Sequence, residues 1–163
     1  MLTKNFYALM RTALGKTGST VTSIQNEAAT VNMDSSWYGV FTAMNGYVTA
    51  GTQYVRFGSG TTPATVNDYK LESQIDSDIT VANPSAVTTE QTDSYISWTV
   101  TFGVSASVEK TISEIGLISK AHIANGSVAT LVDRTVLDTP ITIPAGQSKQ
   151  ITYTIRFNYG GAV

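Results

Sequence analysis

Few residues of this chain have the chemistry of an active site. His122 is the only histidine among 163 residues and there is no cysteine, so one copy cannot supply a pair of imidazole or thiolate ligands for zinc. A serine nucleophile would need His122 as its base, and no Gly-x-Ser-x-Gly motif points to such a serine. His122 stands beside a predicted turn, and an exposed, non-catalytic histidine is the simpler interpretation.

The stretch VRFGSGTTPATVNDYKLES, residues 55–73, raises the question of a phosphate-binding loop. Gly58 and Gly60 are followed by Thr-Thr-Pro, so neither the dinucleotide-binding Gly-x-Gly-x-x-Gly nor the Gly-Lys-Ser/Thr end of a P-loop is present. We interpret the two glycines as a strand exit that needs unusual backbone dihedrals. The loop 58–73 is longer than an ordinary connection, which favours a functional, disordered or packed segment.

Acidic residues gather in and after this loop. Asp76 and Asp78, with Asp68 and Glu72 nearby, carry the oxygen ligands that calcium prefers. The Asp-x-Asp spacing lacks the glycine of a dedicated calcium loop, and aspartates at strand ends are common turn and capping residues. A glycosidase needs two carboxylates at a suitable separation, but nothing in the spacing selects two of the twelve acids. We therefore predict no catalytic residue, no metal and no cofactor.

Two further groups of residues each allow two interpretations. Asp133 and Arg134 interrupt an apolar run, so they mark where a strand leaves the core or pairs across a sheet, or Arg134 binds a carboxylate of another subunit. Six aromatic residues belong either to the core or to a contact face for carbohydrate or a partner. They are Trp37, Tyr38, Phe41, Tyr47, Tyr54 and Tyr69.

The composition argues against two classes of partner. The net charge is −2 and only 13% of the residues are charged, so there is no large basic field for nucleic acid. No apolar run approaches the roughly 20 residues of a membrane span. The start of the chain lacks the features of a signal peptide, and we take it as part of the mature protein.

The first fourteen residues carry a helical pattern. Asn5, Arg11 and Thr12 fall on the polar side, and Gly15 is a suitable stop. The apolar residues recur at three- and four-residue steps, at Leu2, Phe6, Leu9, Met10, Ala13 and Leu14. We predict an amphipathic helix whose apolar stripe packs on its own domain or on another subunit.

Strand signals dominate the rest of the chain. Apolar and polar residues alternate in 94–107 and in 149–159, as in strands buried on one face. Asn125-Gly126 between two extended runs predicts a long hairpin. Pro144-Ala145-Gly146-Gln147 predicts another reversal, in which the proline presets the first turn dihedral and the glycine takes a positive φ. We predict a mainly β protein, an antiparallel β-sandwich or jelly roll with a short N-terminal amphipathic helix or arm. Residues 1–53 hold the helix and short strands, and 54–163 hold the sandwich core of one compact domain.

Three stretches resemble small structural proteins from the virion gene clusters of tailed bacteriophages. They are VRFGSGTTPATVNDYKLES, ISEIGLIS and LVDRTVLDTPITIPAGQSKQITYTIRF, and the likeness covers about residues 54–157. The resemblance implies a non-enzymatic virion protein that binds other subunits, as a capsid decoration or auxiliary protein. Neck, tail or tail-fibre components and a carbohydrate-binding adhesin are the alternatives.

The implied partners are other copies of the chain, for example in a trimer, and other virion proteins such as the major capsid protein. We expect the N-terminal stripe and the loop 58–73 to be poorly satisfied within one small domain and therefore to contact these partners. The predicted contact residues are Phe6, Leu9, Met10, Thr62, Pro63, Tyr69, Leu71 and Arg134.

Overall fold

The computed structural model describes residues 1–13, 19–31, 55–82, 86–123 and 126–158. Within these ranges the elements are α1 (Lys4–Ala13), β1 (Ser19–Thr22), β2 (Ala28–Val31), β3 (Val55–Gly58), β4 (Ile79–Val81), β5 (Ala86–Gln91), β6 (Tyr95–Ala106), β7 (Lys110–Ile123), β8 (Gly126–Ile143) and β9 (Ser148–Asn158). The strand pairs among these elements are all antiparallel. The prediction of a mainly β protein with a short N-terminal helix is confirmed.

The strands form two main sheets and a small hairpin. Among the described strands, the β7 sheet has the order β3-β7-β8, and β1 and β2 form a two-stranded hairpin. In the β6 sheet, β6 pairs with β9 on one side and with β4 and β5 on the other. The predicted alternation is present in β9, where Ile151, Tyr153 and Ile155 are buried and Thr152 and Thr154 are exposed.

The predicted hairpin is confirmed. Ile123 pairs with Gly126, and the pairing of β7 with β8 continues to Lys110 and Ile143. Residues 124 and 125 lie outside the described ranges. A regular ladder from this turn would pair Leu117 with Val132, but Leu117 instead pairs with Asp133. This bulge reverses the faces on which residues 133–136 lie, up to a second register shift between Glu114 and Ile112.

The reversal between β8 and β9 also occurs where the sequence predicts it. Gly146 has a φ of 71°, and the Gln147 N–H donates to the Pro144 carbonyl at 3.0 Å. A positive φ at the third turn position is the requirement of a type II turn, which glycine meets at little cost. Pro144 occupies the first position, so it does not preset a central dihedral of the turn as expected.

One core joins both main sheets to the N-terminal segment. Its buried members include Phe6 and Leu9 from α1, Phe57 and Ile112 from the β7 sheet, and Phe102 from the β6 sheet. The apolar stripe of α1 therefore packs on its own domain, the first of the two alternatives. The predicted stop at Gly15 lies outside the described residues.

Two residues expected on the polar side of α1 are buried. Thr12 has no exposed surface, and Asn5 is 4% exposed. The Asn5 amide nitrogen donates to the Thr22 carbonyl at 2.7 Å, and its oxygen accepts the Thr22 N–H at 2.8 Å. The Asn5 side chain thus extends the hydrogen-bond ladder of β1, a role that helical periodicity does not reveal. Arg11 is exposed, as predicted.

Candidate functional site

Glu114 is a charged residue with no exposed surface in the middle of β7. Its carboxylate accepts the backbone N–H groups of Gly60 at 3.2 Å, Glu72 at 3.1 Å and Ser73 at 2.8 Å. All three amides belong to the connection that follows β3. A buried carboxylate needs such donors, because a buried charge is stable only when it is paired and hydrogen-bonded.

Arg134 of β8 supplies the opposite charge. Its guanidinium donates from Nε to Glu114 at 2.7 Å and from Nη1 to Asp68 at 2.8 Å. Nη2 donates to the Thr62 carbonyl at 3.1 Å and lies 3.4 Å from a Glu72 carboxylate oxygen. The planar fork of arginine suits such simultaneous contacts with several oxygens.

We call residues 59–75 the strap, because they cross the outer face of the β7 sheet with both ends close together. Where the two ends of the strap meet, the Ser59 N–H donates to the Ser73 carbonyl and the Ile75 N–H donates to the Phe57 carbonyl, each at 2.8 Å. In between, the Lys4 N–H donates to the Val66 carbonyl at 2.8 Å. The strap therefore contacts the sheet and the first residue of α1.

The two glycines at the start of the strap are needed for space. Neither Gly58 nor Gly60 has a positive φ among the described residues, so the expectation of unusual dihedrals is wrong. A Cβ on Gly58 would lie 2.6 Å from the Ser73 carbonyl oxygen, and one on Gly60 would lie 2.7 Å from a Glu114 carboxylate oxygen. Glycine therefore allows the backbone to reach the buried carboxylate.

A small apolar patch also holds the strap to the sheet. Leu71 packs with Ile118 and Leu131 in a cluster separate from the main core. A Cβ on Gly116 would lie 2.8 Å from both Leu71 Cδ2 and Leu131 Cδ1. The β7 sheet is thus covered on both faces, by the main core on one and by the strap on the other.

A second polar cluster joins the two main sheets. The Tyr153 hydroxyl of β9 donates to the Asp133 carboxylate of β8, and the Thr135 hydroxyl lies 3.1 Å from the Tyr153 oxygen. Burial raises the pKa of Tyr153 well above its ordinary value, and the charge of Asp133 adds to this effect. Asp133 and Arg134 thus face opposite sides of β8, as neighbouring strand residues do.

The structure places four of the predicted contact residues in intrachain contacts. Phe6, Leu9, Leu71 and Arg134 are between 1% and 6% exposed. The sequence leads to the expectation that a single copy cannot cover the N-terminal stripe and the loop 58–73. This expectation is wrong for these four residues, because the main core and the strap cover them.

The other four predicted contact residues are more accessible. Thr62 and Pro63 are exposed, whereas Met10 and Tyr69 are half-buried. Arg134 lies between two shallow depressions of about 280 and 390 Å³, the first lined by Thr62 and Tyr69 and the second by Pro63. Partner contact through the accessible strap residues stays a prediction.

The four carboxylates considered for calcium are divided among three partners. Asp68 and Glu72 bind Arg134, whereas Asp78 forms an ion pair with Lys110 at 3.1 Å. Asp76 accepts a hydrogen bond from the Gln74 side chain. Within the described ranges, no group of three His, Asp or Glu side chains could hold a metal ion.

Several residues considered from the sequence fall outside this site or outside the described residues. His122 belongs to β7, and its backbone pairs with Ser127. Trp37, Tyr38, Phe41, Tyr47 and Tyr54 lie outside the described ranges.

Sequence reasoning missed Glu114, the residue that organises the strap. It stands in ISEIGLIS, an apolar run predicted as a strand, where a charge signals either a surface position or a buried pair. The available signal for a buried pair was Arg134, an opposite charge in a similar apolar run on the neighbouring strand. The two lie on the same face only because of the bulge in β8, since Arg134 pairs with Gly116 and Glu114 with Val136.

Comparisons with protein-family models, with curated proteins and with solved structures found no match to this chain. The single helix of the described residues is too short to cross a membrane.

Proposed function

We propose that the protein is a non-enzymatic structural subunit of a tailed-bacteriophage virion, and that it binds its neighbours through the exposed tip of the strap. Capsid decoration is the role we favour, and other copies of the chain and the major capsid protein are the partners. The stretches in which the sequence resembles phage structural proteins lie in β3, the strap, β7, β8 and β9.

The exposed, uncharged surface of the strap tip and its fixed conformation are the observation that carries this proposal. Residues 61–67, which we call the strap tip, contain no charged side chain, and all except the half-buried Ala64 are exposed. Thr65 donates its N–H and hydroxyl to Asp68 at 2.9 and 2.8 Å. A loop held in one conformation loses little entropy on binding, and an uncharged loop has few ions to desolvate.

The Glu72 carboxylate fixes the near side of the tip in the same way. It accepts the Thr62 N–H at 2.8 Å and the Thr62 hydroxyl at 2.6 Å. Because Glu72 also lies beside Arg134, the tip is connected to the buried Glu114–Arg134 pair. Repetition of such a preformed contact over many copies would make modest individual affinities sufficient.

We further propose that the two main sheets form a β-sandwich. The support is the shared core, in which buried residues of β3, β7 and β8 cluster with those of β6 and β9. The Tyr153–Asp133 hydrogen bond also joins one sheet to the other. Such a body suits a compact subunit with a single binding loop.

Two exposed valines provide the test. Val66 lies in the strap tip and is 39% exposed, and Val108 lies between β6 and β7 and is 48% exposed. Phage particles assembled with wild-type, Val66→Glu or Val108→Glu protein would be purified, and the copies per particle counted by quantitative mass spectrometry. We expect Val66→Glu to lower the copy number by about tenfold or more, since a buried unpaired charge costs more than the 1.4 kcal/mol of a tenfold change.

Val108→Glu is the matched control and should be incorporated like the wild type. Absence of the wild-type protein from the particles would overturn the virion role. Normal incorporation of Val66→Glu would overturn the assignment of the strap tip as the contact.

A further inference from the structure

The contacts that hold the strap to its sheet end largely on carboxylates. Gly60, Glu72 and Ser73 donate their backbone N–H groups to Glu114. The strap side chains Asp68 and Glu72 accept from Arg134. The strand ladders of the two main sheets, in contrast, consist of backbone hydrogen bonds that no carboxyl proton disrupts.

The cluster also contains more acids than bases. One guanidinium faces three carboxylates, those of Asp68, Glu72 and Glu114. Protonation of a carboxyl group removes one acceptor and one charge while Arg134 keeps another carboxylate. The charged groups that stand on or around the strap are Lys4, Arg56, Asp68, Lys70, Glu72, Asp76, Glu114, Asp133, Arg134, Asp138 and the Met1 amine.

We propose that the strap is an acid-released latch: protonation of its carboxylate contacts detaches residues 59–75 from the β7 sheet while both main sheets stay folded. Release separates Leu71 of the strap from Ile118 and Leu131 and uncovers these two residues of the sheet. The latch is a property of the isolated chain and does not depend on the proposed role in a virion.

The direction of the pH effect follows from the two strap carboxyls. Burial raises the pKa of Asp68, but hydrogen bonds from Thr65 and Arg134 outweigh it and hold this pKa below its ordinary value. Hydrogen bonds from Thr62 lower the pKa of Glu72. Their stabilising contribution is therefore fully present above about pH 5, which lies above the ordinary pKa values of both carboxyl groups, and is lost as the pH falls through the lowered values.

The first test mimics protonation at neutral pH. Asp68→Asn/Glu72→Gln removes both charges with little change in shape, and Asp93→Asn/Glu109→Gln removes two exposed charges elsewhere. Hydrogen–deuterium exchange at pH 7 should show the strap amides exchanging about tenfold faster or more in the first variant only. Unchanged strap exchange, or equal acceleration in β6 and β9, would overturn the proposal.

The second test follows the acid transition itself. Because the chain has no cysteine, Val66→Cys allows an environment-sensitive fluorophore to be attached at the strap tip. We expect the fluorophore signal to change at a higher pH than the far-ultraviolet circular dichroism, which follows the sheets. Coincident transitions, or loss of the sheets first, would show that the strap does not release separately.

Discussion

Replacement of Arg134 by methionine tests the buried cluster most severely. Arg134 is 3% exposed and its partner Glu114 is fully buried, so the variant leaves a carboxylate charge with no cation beside it in the protein interior. Loss of one partner of a buried ion pair costs about 3–5 kcal/mol, out of a total stability of about 5–15 kcal/mol. We therefore expect the free energy of unfolding to fall by about a fifth or more, measured by urea titration with circular dichroism at pH 7.

Two further variants serve as controls for the loss of stability in Arg134→Met. Arg134→Met/Glu114→Gln should recover part of the lost stability, because the neutral amide leaves no buried charge. Lys110→Met breaks the more exposed pair with Asp78 and should leave the urea midpoint close to that of the wild type. If Arg134→Met is no more destabilising than Lys110→Met, the cluster does not hold the strap in the way we describe.

Two other substitutions test single contacts. Gly58→Ala would place a Cβ 2.6 Å from the Ser73 carbonyl oxygen and should cost about 1–3 kcal/mol in urea unfolding. Gly103→Ala is the control, because the nearest contact of its Cβ would be at 3.5 Å, and it should stay within about 0.5 kcal/mol of wild type. Equal effects of the two substitutions would contradict the spatial role of Gly58. Asn5→Ala leaves the backbone groups of Thr22 without their partner and should cost about 1–3 kcal/mol in thermal unfolding. A melting temperature equal to that of the exposed-site control Lys4→Ala would contradict the role of Asn5 as a hydrogen-bond partner of Thr22.

The strand pattern of the fold could be predicted because local signals determine it. In β9 the alternation places Ile151 and Tyr153 in the core and Thr152 on the outer face. The glycine of the turn before β9 takes the positive φ that was expected of it. These features depend on periods of two residues and on turn chemistry, which a single sequence displays.

The candidate site could not be predicted because it depends on a change of register. A regular ladder from the turn would pair Arg134 with Ile115, on the core face of the sheet. The bulge at Val132 pairs Arg134 with Gly116 instead, on the face of Glu114. Cross-strand diagonal neighbours are within reach of long side chains, so this one-residue shift creates the buried pair, and no local pattern in the run LVDRTVL indicates it.

The N-terminal segment shows the same limit. Helical periodicity correctly predicts that Phe6 and Leu9 share an apolar stripe, but it assigns Asn5 to the solvent. Asn5 is buried because its amide reproduces the hydrogen bonds of a peptide group beside Thr22 and also donates to the Leu131 carbonyl at 3.2 Å. Burial of a polar side chain by such tertiary partners does not follow from its own sequence neighbourhood.

The central claim is that the strap belongs to the folded domain and is bound by Glu114 and Arg134. Amide exchange measured by nuclear magnetic resonance at Gly60, Glu72 and Ser73 tests it most directly, because these three N–H groups donate to the Glu114 carboxylate. We predict protection of about a hundredfold or more at pH 7, which corresponds to an opening free energy of about 3 kcal/mol. Exchange of these amides at the rate of an unstructured peptide would contradict the account.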